Sequence, residues 1–271
     1  MTMEVDILEL SDRSAKFVLS NARTAFANSV RRAMIADVPT LAIEYVNIYD
    51  NTSILYDEQL ALRLSLIPLV TDIESYVPQA DCPTCKDKAE AERGCPLCEV
   101  SLSLSAEGPC VVHSGDMISS DPKVLPADSN IPVIDLKKGQ KLVLEAIAHM
   151  GYGRDSVKWQ AGVACGYKNM PLVSIENCDA CGRCAAECPK GIIHVEESGV
   201  MILEEDLIKC SLCKLCERVC EIDAIKVAYD ENAFVFTMES DGSYSAKELV
   251  LNANEVIKGK AEELVEILDR L

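Results

Sequence analysis

Eight cysteines in the second half of the chain form two runs with the same spacing. The first run lies in the stretch CDACGRCAAECPK and consists of Cys178, Cys181, Cys184 and Cys188. Each of these has a counterpart 32 residues later, which gives Cys210, Cys213, Cys216 and Cys220. Because four cysteines rarely recur at one offset by chance, we interpret the two runs as an internal duplication.

The spacing is typical of a bacterial-type ferredoxin with two iron–sulfur clusters. Three thiolates of each CxxCxxC run wrap round one face of an iron–sulfide cube, and the fourth cysteine ligates the other cluster. This crossing predicts two 4Fe–4S clusters, one held by Cys178, Cys181, Cys184 and Cys220, the other by Cys210, Cys213, Cys216 and Cys188. Glu221 stands where the motif usually has a proline, but it removes no ligand. Apolar residues after the runs are expected to shield the clusters from water: Ile192, Ile193, Val195, Ile222 and Ile225.

A third group of cysteines has a different spacing. Two CPxC knuckles, joined by a short charged loop, contain Cys82, Cys85, Cys95 and Cys98. Two CxxC pairs suit a tetrahedral zinc site with four thiolate ligands, whereas the eight cysteines of the duplicated runs lack paired knuckles. The sequence therefore predicts a zinc-binding clip here, and a surface loop with free or oxidised thiols is the alternative.

The other residues that could do chemistry are isolated. Cys110 and Cys165 stand alone and are expected to be small buried apolar residues. The three histidines, His113, His149 and His194, are isolated, and no second His or convenient Cys–His pair accompanies them, which disfavours a hydrolytic triad or a histidine metal centre. GYGRDS at 151–156 lacks the third glycine of a dinucleotide fingerprint and predicts a turn.

Composition excludes several classes of protein. The 271 residues contain 44 acids and 26 bases, for a net charge of −18, and basic residues form no cluster, so direct binding of nucleic acid is disfavoured. No run of about eighteen apolar residues is present, which disfavours a membrane span. The N-terminus does not resemble a signal peptide, and twelve of fourteen cysteines lie in CxxC-type clusters, so we expect a cytoplasmic protein without disulfides.

Hydrophobic periodicity predicts a mixture of strands and helices. Two short strands joined by SDRSA should open the chain, and a helix over 21–36 should follow and end before Pro39. A strand at 41–48 and a helix ending at Pro68 come next, before a β-rich segment over 100–148. The stretch NAFVFTMESDGSYSA predicts a strand pair, and a long amphipathic helix over 245–271 closes the chain.

Two helices carry long apolar stripes at opposite ends of the chain. The stripe of the first helix is Ala22, Phe26, Val30 and Met34, and that of the last helix is Val250, Ala253, Ile257, Ala261, Leu264, Leu268 and Leu271. Periodicity alone is equally consistent with packing inside the chain and with binding of a second chain. The candidate interface residues are Phe26, Val30, Met34, Ile257, Leu264 and Leu268.

Three stretches outside the cysteine runs resemble one family. They are NARTAFANSVRRAMIADVPTLAIEYVNIYDNTSILYDEQLALRLSLIPL at 21–69, IPVIDLKKGQKLVLEAIAHMGYGRDSVKWQ at 131–160 and FTMESDGSYSAKELVLNANEVIK at 236–258. Together they resemble the D-type subunit of archaeal DNA-directed RNA polymerase, in the form with a two-cluster ferredoxin-like domain. That family is related to the bacterial α subunit and to the eukaryotic third-largest subunit.

The resemblance implies an α+β architecture with three parts. Residues 1–45 and 230–271 would form an α-subunit-like dimerisation domain, 46–170 a β-rich second domain with the CPxC loop, and 171–229 an inserted ferredoxin-like domain. The implied partner is the small L subunit of the polymerase, and the heterodimer would then receive the N subunit and the two large catalytic subunits. Such a chain would be a non-catalytic assembly subunit.

The cysteine runs taken alone favour another class of function. An electron-transfer subunit of an oxidoreductase would carry the same ligand pattern. The stretches at 21–69, 131–160 and 236–258 decide between the two, because they match the polymerase subunit outside the cysteines. We therefore expect an assembly subunit whose clusters stabilise an inserted domain and make assembly sensitive to oxygen or iron.

Overall fold

The computed structural model of the chain describes residues 2–88 and 94–270, and these form a mixed α and β fold. The strands are β1 Glu4–Leu10, β2 Ser14–Ser20, β3 Pro39–Asn51, β4 Glu99–Glu107, β5 Cys110–His113, β6 Ile118–Ser119, β7 Pro132–Leu136, β8 Lys141–Tyr152, β9 Gly162–Ile175, β10 His194–Glu196, β11 Gly199–Met201 and β12 Ile225–Ser240. The α-helices are α1 Thr24–Ala36, α2 Asp57–Ser65, α3 Arg183–Ala186, α4 Glu204–Leu207, α5 Leu215–Val219 and α6 Ala246–Asp269. No helix within this described part is long and apolar enough to cross a membrane.

The chain folds into two compact units that are each built from separate segments. The first unit combines the segment ending at Glu9 with Lys16–Asn28 and Gly166–Thr237. The second unit combines Leu10–Ala15, the described part of Ser29–Cys165 and the segment beginning at Met238. Residues distant in sequence therefore meet in both units.

A four-stranded sheet with the strand order β1-β2-β12-β9 lies mostly in the first unit. Alternation of apolar residues predicted the opening hairpin, and the structure confirms it, with its turn closed by the 2.8 Å bond from Ser11 N to Ser14 O. Aromatic side chains from three of these strands pack together. The ring of Phe17 stacks on that of Phe236 at 5.0 Å, and Tyr167 lies 5.2 Å from Phe236. This packing fixes β9 and β12, which flank the cysteine runs.

The segment between β9 and β12 contains both cysteine runs and little regular structure. Its elements are the one-turn helices α3, α4 and α5 and a hairpin in which β10 pairs antiparallel with β11. A small core of its own includes Ile192, Ile193 and Ile225 together with buried cysteine side chains. Since this core is small, cross-links between its loops would add much of its stability.

The second unit contains a four-stranded sheet in the order β3-β8-β4-β6. Strand β8 pairs antiparallel with β3 on one side and with β4 on the other, and β5 and β7 form a separate pair. Helix α2 lies on this core with Leu60 and Leu64 fully buried. The predicted strand at 41–48, the helix before Pro68 and the β-rich segment after residue 100 are all confirmed.

The strand pair predicted over 232–246 is wrong in its second half. Strand β12 ends at Ser240, and a turn follows in which Asp241 accepts a 2.8 Å bond from the N–H of Ser243 while Gly242 has a φ of 99°. Ser245 then caps helix α6 in a capping box with Glu248. The polar stretch thus starts a helix, and no second strand forms.

Candidate metal centres

One cavity brings together cysteines from both runs. Its wall contains Cys178, Cys181, Cys184 and Cys220. Three come from the first run and the fourth from the end of the second run. The grouping is the one predicted for the first cluster.

A second cavity contains the complementary set of cysteines. Its wall contains Cys188, Cys210, Cys213 and Cys216, with apolar neighbours such as Val173 and Ile202. Burial raises the pKa of the Cys216 thiol to about 11, so a bound metal would be needed to hold it as a thiolate. Four sulfur donors in an apolar cavity suit an iron–sulfur cluster.

The duplication seen in the sequence extends to the backbone. Left-handed residues recur at the 32-residue offset, as Ala180 and Leu212, Gly182 and Lys214, and Gly191 and Asp223. The bond from Gly191 N to Cys188 O, at 3.1 Å, has its counterpart from Asp223 N to Cys220 O, at 3.3 Å. Because residues other than glycine seldom adopt positive φ, these shared conformations show that both runs fold into the same loop.

The predicted apolar shield is correct for three of its five residues. Ile192, Ile193 and Ile225 are buried in the core around the cysteines. Val195 and Ile222 are about half exposed, so they do not exclude water from the cavities. The shield is completed instead by residues that the sequence argument missed, namely Val173, Val200, Ile202 and Val227. These lie on or near strands, where contact with a cysteine loop depends on tertiary packing.

Glu221, the departure from the ferredoxin motif, has a structural partner. Its carboxylate forms an ion pair with Arg183, which follows Gly182 in the first run. This pair lowers the pKa of the Glu221 carboxyl, through the hydrogen bond and charge of Arg183. The pair therefore links the two duplicated runs at the point where the motif usually has a proline.

The CPxC loop gathers its four cysteines into one group. All four sulfurs lie within 4.8 Å of one another, and three of the four residues are buried. The Cys95 sulfur lies 3.6 Å from that of Cys82 and 3.5 Å from that of Cys98, and the Cys98 sulfur lies 3.7 Å from that of Cys85. Four sulfurs at roughly 2.3 Å from a tetrahedral zinc ion would be roughly 3.8 Å apart. The donor set and its spacing fit zinc.

Backbone groups favour a thiolate in this group. Burial alone would raise the pKa of Cys82, but bonds from the backbone of Thr84 and Cys85 and from the Cys95 side chain lower it to about 7. Burial raises the pKa of Cys98. The part of the loop at 89–93 lies outside the described residues.

A polar network lies beside the CPxC loop. The buried His149 ring is 2.8 Å from the carboxylate of Glu99, and the Gln79 amide donates to that carboxylate at 2.9 Å. Glu99 directly follows Cys98, and Gln79 precedes the first knuckle. The network ties both ends of the loop to strand β8, a role that the isolated histidine did not suggest in the sequence.

The two lone cysteines differ from each other. Cys165 is only partly buried, so its predicted burial is met in part, and this burial raises its pKa to about 11. Cys110 is exposed, so its prediction as a buried residue is wrong. It is the first residue of strand β5, at the exposed start of the strand and two residues before the buried Val112.

The candidate interface residues divide into three groups. Val30 and Met34 are buried within the chain, with exposed fractions of 3% and 1%, and so offer little surface to a partner. Phe26 and Ile257 are half-buried. Leu264 and Leu268 expose 57% and 58% of their surface, and every described residue from 261 to 270 is exposed.

The sequence matches the RNA polymerase Rpb3/Rpb11 dimerisation domain family over residues 16–261. The chain belongs to this family. The chain is also similar to proteins named DNA-directed RNA polymerase subunit Rpo3. Those from Methanosarcina acetivorans and Methanosarcina mazei are 77% and 78% identical over 271 residues, and that from Archaeoglobus fulgidus is 42% identical over 272. In each case the match covers 100% of both chains.

Proposed function

We propose that this member of the Rpb3/Rpb11 family is a non-catalytic assembly subunit of a DNA-directed RNA polymerase. The observation that carries the proposal is the free end of helix α6. Its last three turns expose about half or more of four large apolar side chains: Leu264, Val265, Ile267 and Leu268. A contiguous apolar surface of this kind marks a site where another protein binds.

The partner at this surface is the small L subunit, in a heterodimer. The early part of α6 is fixed inside the chain, because Leu249 and Ala253 are fully buried and Lys260 forms a 2.8 Å ion pair with Asp37. The later part of α6 extends beyond these contacts, and its described residues from 261 to 270 are all exposed. The heterodimer then receives the N subunit and the two large catalytic subunits, in the cytoplasm.

The domain organisation belongs to the same proposal. Residues 1–45 and 230–271 form the dimerisation domain, 46–170 the β-rich second domain, and 171–229 the inserted ferredoxin-like domain. Support for the insertion comes from strands β9 and β12, which flank both cysteine runs and are neighbours in one sheet. A segment whose ends are adjacent can be inserted without disturbing the strands that carry it.

Two 4Fe–4S clusters bind in the inserted domain with crossed ligands. The first is held by Cys178, Cys181, Cys184 and Cys220, and the second by Cys188, Cys210, Cys213 and Cys216. The two cavities support this assignment, since each contains three cysteines of one run and the fourth of the other. The clusters cross-link loops that have a small core, and their loss on exposure to oxygen or shortage of iron would weaken the domain.

A zinc ion bound by Cys82, Cys85, Cys95 and Cys98 closes the loop of the second domain. The proposal is supported by sulfur separations close to those of a tetrahedral zinc site. Four ligands leave no open position, so the ion stabilises structure and does no catalysis.

Purification under anaerobic conditions tests the assembly function. A tagged chain expressed in its own host should retain an L-type subunit and the large polymerase chains, identified by mass spectrometry. Recovery of a flavin or metal oxidoreductase in place of polymerase chains would contradict the proposal and support an electron-transfer subunit. The copurified complex should also synthesise RNA from a DNA template.

A further inference from the structure

The structural repeat allows the surroundings of the two cysteine cavities to be compared position by position. Three pairs of residues 32 positions apart share a positive φ, so side chains at equivalent positions of the two sites can be compared for the charge they contribute. Lys214 lines the second cavity, and its counterpart in the first is Gly182. Ser211 lines the second cavity, and its counterpart in the first is Asp179. At both positions the residue of the second site carries the more positive charge of the two.

Other charged residues increase the contrast. Lys190 also lines the second cavity, whereas the residue 32 positions later is the uncharged Ile222. The first cavity does contain Arg183, but the carboxylate of Glu221 is ion-paired with it. In the second site Lys214 is paired more loosely, because its ammonium lies 3.9 Å from the carboxylate of Glu217.

A third lysine approaches the second site from strand β9. The Lys168 ammonium donates a 2.6 Å bond to the carbonyl oxygen of Ile208 and another to that of Cys210. The Lys168 side chain is half-buried, so this cation is partly withdrawn from water and from screening by salt. It therefore fixes the start of the second cysteine run and adds positive charge there.

We propose that the two clusters have unequal reduction potentials, and that the cluster of Cys188, Cys210, Cys213 and Cys216 is reduced first. The inference rests on the proposed iron–sulfur content. Reduction adds one electron to the cluster core and makes or breaks no bond. Because it makes the site more negative, nearby cations favour it and nearby carboxylates oppose it. The asymmetry is set by Lys168, Lys190 and Lys214 at one site and by Asp179 at the other, where Glu221 and Arg183 offset each other.

Single-cluster proteins allow each potential to be measured separately. Cys181→Ala removes a ligand of the first cluster and Cys213→Ala a ligand of the second. Each protein is titrated anaerobically with dithionite as one-electron donor and followed by electron paramagnetic resonance. We expect the cluster left in Cys181→Ala to have the higher midpoint potential. We also expect the difference to shrink as ionic strength rises, since most of these charges are exposed.

Replacing lysines of the second site by the residues at the equivalent positions of the first site tests whether these lysines cause the difference in potential. Lys190→Ile with Lys214→Gly gives the second site the residues of the first, and glycine accepts the positive φ at position 214. This change should lower the potential of the second cluster alone. Lys137→Gly with Lys138→Ile removes the same charge from a turn in the other unit and should change neither potential. Lys168→Met should lower the second potential, and Lys168→Arg should restore it.

The outcomes separate this inference from the proposed function. A wild-type protein that binds no cluster would overturn the iron–sulfur content itself. Two clusters with equal or reversed potentials, or a second potential unmoved by the lysine exchange, would overturn the electrostatic inference and leave the clusters in place. If the single-cluster variants are unstable, the wild-type titration decides, because only its higher wave should shift in the Lys190→Ile, Lys214→Gly protein.

Discussion

The backbone N–H of Glu176 donates a 2.8 Å hydrogen bond to the carbonyl oxygen of Ala224. These two residues lie at the ends of the segment that contains both cysteine runs. Strand β9 ends one residue before Glu176 and strand β12 begins one residue after Ala224, so the bond joins the residues just beyond the two strand ends. The chain therefore leaves the sheet and returns to it at the same place. The two ends of the segment between them are therefore held together.

Replacement of residues 177–223 by a short Gly/Ser linker should preserve pairing with the L-type partner. The linker has only to span two adjacent strand ends, and the exposed apolar residues of α6 are untouched. Copurification of the two chains measures the pairing, and circular dichroism checks that the remainder is folded. A folded deletion protein that no longer binds the partner would show that the clusters build the interface.

Cys188→Ala should eliminate the second cluster although Cys188 belongs to the first run. Its side chain lies in the cavity of Cys210, Cys213 and Cys216. Anaerobic protein should then retain about four of about eight irons, and resonance spectra should show loss of one cluster. Cys110→Ala is the matched control, because Cys110 is exposed on a different element. Retention of the second cluster with loss of the first would refute the crossed assignment.

The CPxC loop should contain one zinc ion per chain by elemental analysis. Cys98→Ser should abolish zinc binding, since the ion would keep only three of its four thiolates and Cys98 is fully buried. Cys165→Ser, which changes a thiol outside the loop, should leave the zinc content at one. Full alkylation of all four loop thiols in the reduced, metal-analysed wild-type protein would count against a bound ion.

Leu264→Asp and Leu268→Asp should abolish partner binding without unfolding the isolated chain. Both side chains are exposed in the free subunit, and an unpaired carboxylate becomes costly only when a partner covers it. Ile118→Asp, at a still more exposed apolar position on β6, is the control and should bind normally. Met34→Ala should instead destabilise the chain itself by about 2–5 kcal/mol, because Met34 is buried. Chemical denaturation and copurification together distinguish the two effects.

Protonation of Asp72 should lower the stability of the second unit in acid. Hydrogen bonds from Lys123, at 2.7 Å, and from Ser75 lower the pKa of Asp72 to about 2, from an ordinary value of 3.8. Since the folded pKa is the lower one, the contribution is complete above the ordinary value and is lost as pH falls from there toward 2. The melting temperature of Asp72→Asn should be lower than wild type at neutral pH and converge with it over this range. A constant difference down to pH 2 would exclude Asp72 as the cause.

The sequence by itself determined the elements and the donor sets. Apolar alternation and periodicity located the opening hairpin, α2 and α6, because side-chain spacing along a strand or helix is fixed by local backbone geometry. Cysteine spacing likewise separated two knuckles from two ferredoxin runs. The identical offsets even anticipated a repeated backbone, which Ala180 and Leu212 display in their shared positive φ.

Tertiary structure alone decided what surrounds those elements. Periodicity could not tell that Val30 and Met34 are buried while Leu264 and Leu268 are exposed, because a stripe does not reveal which neighbour covers it. Nor could it place Lys168 against the carbonyl of Cys210 or pair Arg183 with Glu221, since these contacts join residues more than thirty positions apart. The burial and charge around a site depend on residues from many parts of the fold, whereas ligand spacing depends on one short segment.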